Sequence, residues 1–130
     1  MNVVFLCAGY GTRLYPLTER QPKSLLPIAG EALLTHLFKK VEFLSSADRV
    51  ILVSNDRFCE RLCKWREALE GKWVVSGVND GTKDIVHRLG AIRDLKLALG
   101  EEGSDADVLV LAGDNLFDSD LESFVSFAQS

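Results

Sequence analysis

The sequence lacks what several large functional classes need. It carries 15 lysines and arginines against 19 aspartates and glutamates, a formal net charge of -4. Polyanionic backbones are met by basic excess, so this balance argues against a nucleic-acid partner. A small nucleotide stays compatible, because one magnesium ion and two basic side chains neutralise a small anion locally. Cysteine is scarce: Cys7, Cys59 and Cys63 are an odd count and fit a reducing cytoplasm. Cys7 reads as a core filler in an apolar run, and Cys59 and Cys63 fall one helical turn apart with no second pair to suggest a metal. Long apolar runs are missing too. The N-terminal run stops at Gly9, too short for a secretory or spanning segment, so no membrane partner is expected.

Proline is the most telling scarcity. All three prolines, Pro16, Pro22 and Pro27, fall in one stretch between the first apolar run and Gly30, and the other hundred-odd residues have none. With 130 residues and 47% hydrophobic content, the chain has room for one domain with a real core.

What is present alternates. Met1–Ala8 reads as a buried central strand. Apolar spacing at Leu33, Leu34, Leu37, Phe38, Val41 and Leu44 predicts a helix, and RVILVS (49–54) a second strand. Phe58, Leu62, Trp65 and Leu69 line a second helix, capped by Asn55 or Asp56 and closed by Gly71. WVVSGV (73–78) is a third strand and NDGT (79–82) a turn. Asp84–Leu99 reads as a third helix with Gly90 as a weak spot, and EEGSDAD (101–107) as a surface connection. VLVLAG (108–113) is a fourth strand, and Asp120 caps a last helix. The expected fold is α/β, a three-layer α/β/α arrangement with a mostly parallel, Rossmann-like sheet. The chain ends in a helix with no polar linker, which points to a larger protein; residues 1–130 would be its N-terminal nucleotide-binding part.

The stretch LCAGYGTRLYPLTERQPKSLLPIAG (6–30) then needs an account. GYG after a strand resembles the start of a dinucleotide fingerprint, but Leu14 stands at the last glycine position and Pro16 forbids the helix that must follow. A P-loop fails as well, because PKS carries lysine and serine without the preceding glycine. What remains is a stiff loop at the carboxyl end of strand one. Gly9 and Gly11 let backbone N–H groups approach a phosphate. Arg13 supplies a planar donor fork and Lys23 a mobile point charge, both held at low entropic cost by the prolines. A surface loop with solvated charges is the alternative. Asp114, just past the fourth strand, suits a hard divalent ion bridging phosphate oxygens, or else a helix cap. Asn79, Asp80, Gly81 and Thr82 form a third wall that could read a base edge, or a simple turn.

With these residues assembled, the chain resembles the nucleotidyltransferase family that activates sugar phosphates. Its long signature, L-x-x-G-x-G-T-R-L-x-P-L-T-x-x-x-P-K-x-L-x-P-[IV], is followed here, and AGDNLF (112–117) and DGT (80–82) resemble two later landmarks. The sequence departs from the usual P-x-G-T-A form at Lys83, and the NDGTKDIVHRLGAIRDL segment looks closer to relatives acting on phosphocholine. The resemblance implies transfer of a nucleoside monophosphate from an NTP to a phosphorylated sugar or alcohol, with release of pyrophosphate. It implies nucleotide binding by Ala8, Gly9, Gly11, Thr12, Asn79, Asp80, Gly81 and Thr82, catalytic roles for Arg13 and Lys23, and Mg2+ on Asp114. Family catalytic domains run longer and carry the acceptor pocket and a second metal-binding aspartate later on, so this length is expected to be incomplete for catalysis. A non-catalytic nucleotide or nucleotide-sugar binding or regulatory domain is the alternative. The histidines, His36 and His87, are expected to be structural, since a phosphate nucleophile needs no base. Apolar surface left by a broken layer would make a homo-oligomer an expected partner.

Overall fold

A computed structural model describes residues 1–44, 47, 49–69, 74–100 and 105–130. The main sheet holds β1 (Asn2–Leu6), β4 (Arg49–Ser54), β5 (Val75–Asn79) and β6 (Val108–Ala112), all parallel, in the order β5-β4-β1-β6. A short hairpin of β2 (Pro27–Ile28) and β3 (Glu31–Ala32) closes the proline-rich stretch, turning on Ala29 and Gly30, both at positive φ. The helices are α1 (Leu33–Lys39), α2 (Cys59–Glu67), α3 (Ala91–Leu99) and α4 (Leu121–Gln129).

Strand alternation sorts the core onto two faces. Val3, Phe5 and Cys7 of the β1 segment and Val50 and Leu52 of β4 point to one face. There they meet Leu34, Leu37 and Phe38 of α1, Leu62 of α2 and Leu121 and Val125 of α4. Val4, Ala8, Ile51 and Val53 point to the other face, which α3 covers through Leu95, Ala98 and Leu99. Among the described residues the three expected layers are present, with α1, α2 and α4 on one side and α3 on the other. Among the described residues, no helix is long and apolar enough to cross a membrane.

The expected elements stand, with shifted bounds. Trp73 and Gly71 lie outside the described residues, as do residues 101–104 of the connection before β6. The first helix stops at Lys39, and Val41 and Leu44 follow in tighter turns, their N–H groups reaching the carbonyls of Phe38 and Val41. The third helix is shorter than its apolar spacing predicted. Asp84 accepts the N–H of His87 and closes a single 3-10 turn over Ile85–His87. Gly90 then sits at φ 85, a conformation that breaks the helical path, so α3 starts at Ala91. Asp120 does cap α4, accepting from Glu122 and Ser123 N–H groups.

Candidate active site

The strand order fixes where a ligand fits. From β1 the chain winds outward through β4 to β5, then crosses back to place β6 on the other side of β1. Crevices form at such switch points, outside the carboxyl ends of the strands. A cleft of about 280 Å³ opens there, between the β1 loop, the end of β6 and the start of α3.

Gly113 makes the junction close. Its N–H donates to the Leu6 carbonyl at 2.9 Å, and a Cβ added to it would run into Cys7 Sγ. The absence of a side chain lets the ends of β1 and β6 meet, which sets Asp114 on the cleft wall. Cys7 itself is buried, and burial pushes its thiol up to about 12, an inert packing group.

The glycine loop is held from beneath. Asn55, fully buried after β4, donates its side-chain N–H to the carbonyls of Ala8 (3.0 Å) and Gly9 (3.4 Å), and its Oδ1 accepts the Phe58 N–H at 2.9 Å. One residue thus anchors the loop and leads into α2. Gly11 takes the left-handed conformation (φ 59), and the buried Thr18 hydroxyl donates to its carbonyl. Arg57 reaches the Glu19 carbonyl at 2.6 Å, tying down the far side of the loop. The resulting strap returns through Pro22 to Lys23, whose Nζ lies 3.3 Å from Asp114 Oδ2. Both side chains are partly exposed, so the pair stays in contact with solvent.

The opposite wall is a hydrogen-bonded network. Asp80 Oδ1 accepts the Thr82 N–H (2.8 Å) and hydroxyl (2.7 Å), and the Thr82 oxygen lies 2.8 Å from the buried Tyr10 hydroxyl. Because Thr82 gives its proton to Asp80, Tyr10 donates to Thr82. Asp80 also faces Asp94, in the first turns of α3. Burial first, and then the Asp80 carboxyl, push the Asp94 pKa up to about 6. Desolvation likewise raises Tyr10.

Of the residues singled out from sequence, Ala8, Gly9, Lys23, Asp80 and Asp114 line one cleft. Gly11, Thr12 and Arg13 are not among the residues that line it; Arg13 is exposed in the 3-10 turn Thr12–Leu14 that follows Tyr10. Asn79 and Gly81 shape the turn: Asn79 donates to Asp56 Oδ1 at 2.8 Å and accepts the Gly81 N–H at 2.9 Å. Thr82 is buried behind Asp80. Sequence reasoning missed Tyr10, Asn55 as a loop anchor, Arg88, Gly90 and Asp94. The RLGAIRD stretch held a signal for the last three, a glycine before a helix with charges at its start.

The family model described as nucleotidyl transferase matches residues 2–130. This chain belongs to that family. The nucleotidyl transferase chain is 33% identical over 127 residues to the bifunctional protein GlmU of Methanocaldococcus jannaschii, covering 98% of its own length and 28% of that relative. It is 29% identical to the UTP–glucose-1-phosphate uridylyltransferase AglF of Haloferax volcanii, covering 96% of itself and 48% of AglF. The fold is also that of the CTP:phosphocholine cytidylyltransferase LicC of Streptococcus pneumoniae, with TM-score 0.70 and 25% identity, over 92% of this chain and 47% of that one. The nucleotidyl transferase chain therefore spans half or less of the length of these relatives.

Proposed function

We propose that the cleft binds a nucleoside triphosphate for transfer of its nucleoside monophosphate to a phosphorylated sugar or alcohol. The carrying observation is the convergence of Gly9, Lys23 and Asp114 on one switch-point cleft, with Lys23 Nζ 3.3 Å from Asp114. Opposite charges at that spacing are a ready exchange point: the Lys23 ammonium would turn to a phosphate oxygen, and Asp114 would then hold a divalent cation, which supplies charge neutralisation. A single carboxylate suits Mg2+, which is commonly held by one or two carboxylates together with substrate phosphates. Bound there, the ion would neutralise phosphate charge and keep the triphosphate in line.

In the reaction, a phosphate oxygen of the acceptor attacks the α-phosphorus of the NTP. The new P–O bond forms as the bond to the β-phosphate oxygen breaks, and pyrophosphate departs with the electron pair. Phosphate monoesters are largely dianionic above about pH 6, so the nucleophile needs no protein base. His87 agrees with this, since its ring nitrogen lies 2.7 Å from Asp84 on the exposed 3-10 turn, a local contact. The demand is electrostatic and positional. Backbone N–H groups at Gly9 and Gly11 and the Lys23 ammonium hold the phosphates, and Arg13, exposed on the same loop, meets the departing pyrophosphate.

The test incubates the chain with Mg2+, each NTP and a panel of hexose 1-phosphates and phosphocholine, read by phosphorus NMR. Pyrophosphate and a nucleotide-linked product, each reduced at least about tenfold by Lys23→Ala or Arg13→Ala, support transfer. NTP binding without product in any combination would confine the chain to the nucleotide-binding part of the reaction. No NTP binding would overturn the reading.

A further inference from the structure

The two ends of the cleft differ in chemistry. Lys23 and Asp114 stand toward β6, whereas Ile85, Arg88, Gly90 and the facing carboxyls Asp80 and Asp94 stand toward α3. With the triphosphate at the first end, the nucleoside lies toward the second.

Asp94 is the unusual group there. It is only 6% exposed, lines the cleft, and its Oδ1 has no hydrogen-bond partner. A buried carboxyl left short of donors is costly, and one on a cleft wall is completed by what enters the cleft. Asp80 does not complete it: its own Oδ1 already takes both Thr82 donors, and its carboxyl meets Asp94 through a side-chain hydrogen bond that leaves Asp94 Oδ1 without a partner. The chain of bonds runs from Tyr10 to Thr82 to Asp80, so both hydroxyl protons are committed along it toward Asp80. What the two carboxyls offer a ligand is acceptors. Arg88, on the same wall, offers only donors. Ile85, partly exposed, and Gly90, with open space where a Cβ would be, provide a smooth apolar flank for a planar ring.

Resting on the nucleotide-binding reading, we propose that this wall reads the nucleobase and selects guanine. Asp94, backed by Asp80, accepts the adjacent N1–H and 2-amino donors, while Arg88 donates to O6 and N7. The torsion of an aspartate carboxyl is broad, so both oxygens can turn to the base edge. Arginine pairs bidentately with guanine O6 and N7, and a carboxylate is matched by two neighbouring N–H donors. The other bases fit worse. Uracil and thymine set two carbonyls around a single N–H, so an acceptor meets a carboxylate. Cytosine and adenine put a bare ring nitrogen beside their amino group, with the same conflict.

The experiment is calorimetric titration of the chain with GTP, CTP, ATP, UTP and dTTP in Mg2+ at pH 7.5, repeated on Asp94→Asn and Arg88→Ala. Circular dichroism verifies the fold of each variant. GTP is expected to bind at least about tenfold tighter than any other triphosphate, and Asp94→Asn to bring the GTP:UTP affinity ratio to within about twofold. Arg88→Ala should weaken GTP more than UTP. Another triphosphate binding as tightly as GTP, or an unchanged ratio in Asp94→Asn, overturns the base assignment while the nucleotide reading stands. Failure of every triphosphate to bind overturns both.

Discussion

At the scale of single residues, the cleft is built from groups whose ordinary preferences are overridden. Asp94 is kept at a pKa of about 6 instead of 3.8 by burial and by the Asp80 carboxyl. The folded state therefore holds this proton more tightly than the unfolded state does. Its stabilising contribution is complete below about pH 4 and is lost as pH rises through about 6. Asp94→Asn keeps the shape, removes the charge and gives Asp80 a donor. We expect this variant to be about 1–2 kcal/mol more stable than the parent at pH 7.5, with the gap roughly halved at pH 5 and closed only below about pH 4. Urea unfolding at the two pH values measures it, and a gap that does not change with pH would contradict the assignment. Gly113 illustrates a steric override. Gly113→Ala sets a methyl against Cys7 Sγ and the Leu6 carbonyl, an overpacking cost of about 1–3 kcal/mol. Cys7→Ala in the same chain should recover part of that loss, which a double-mutant cycle reads directly.

At the scale of elements, the buried tethers decide how rigid the glycine loop is. Asn55 joins β4, the loop and the approach to α2 through three hydrogen bonds with no exposed surface. Asn55→Ala leaves two carbonyls and an N–H short of partners, so we expect a loss of about 2–3 kcal/mol. Faster proteolytic cleavage within residues 9–22 should accompany it. Cleavage at the parent rate would show that the loop is held by other means. The helices and strands were legible because their apolar spacing is a local property: RVILVS reads as β4 to the residue. Asp114 and Lys23 were legible because strand ends and proline-flanked loops are marked in the sequence. Asn55 was legible only as a helix cap, because its bonds to Ala8 and Gly9 span nearly fifty positions. The Tyr10–Thr82 bond spans 72 positions, and no periodicity records such a pair. The third helix was overextended because Ile85 and Leu89 keep helical spacing, whereas Gly90 at φ 85 cuts the backbone path.

At the scale of the whole molecule, the two sheet faces are not equally covered. The α3 face leaves Val110 of β6 partly exposed, while Ile92, Phe124 and Phe127 stand open on α3 and α4. Exposed apolar groups in such numbers favour association, so sedimentation should show the average mass rising with concentration. A single monomeric species across the range would contradict that expectation. The proposed function rests on the cleft where β1 and β6 meet. If Lys23 and Asp114 are exchange partners for phosphate and cation, triphosphate binding must depend on both residues and on Mg2+. Titration of the chain with GTP, with and without Mg2+, on the parent and on Asp114→Asn and Lys23→Ala, measures this directly. One saturable site is expected in the parent with Mg2+, weakened at least about tenfold when the ion, the carboxylate or the ammonium is removed. Binding of equal strength in all four cases would contradict it.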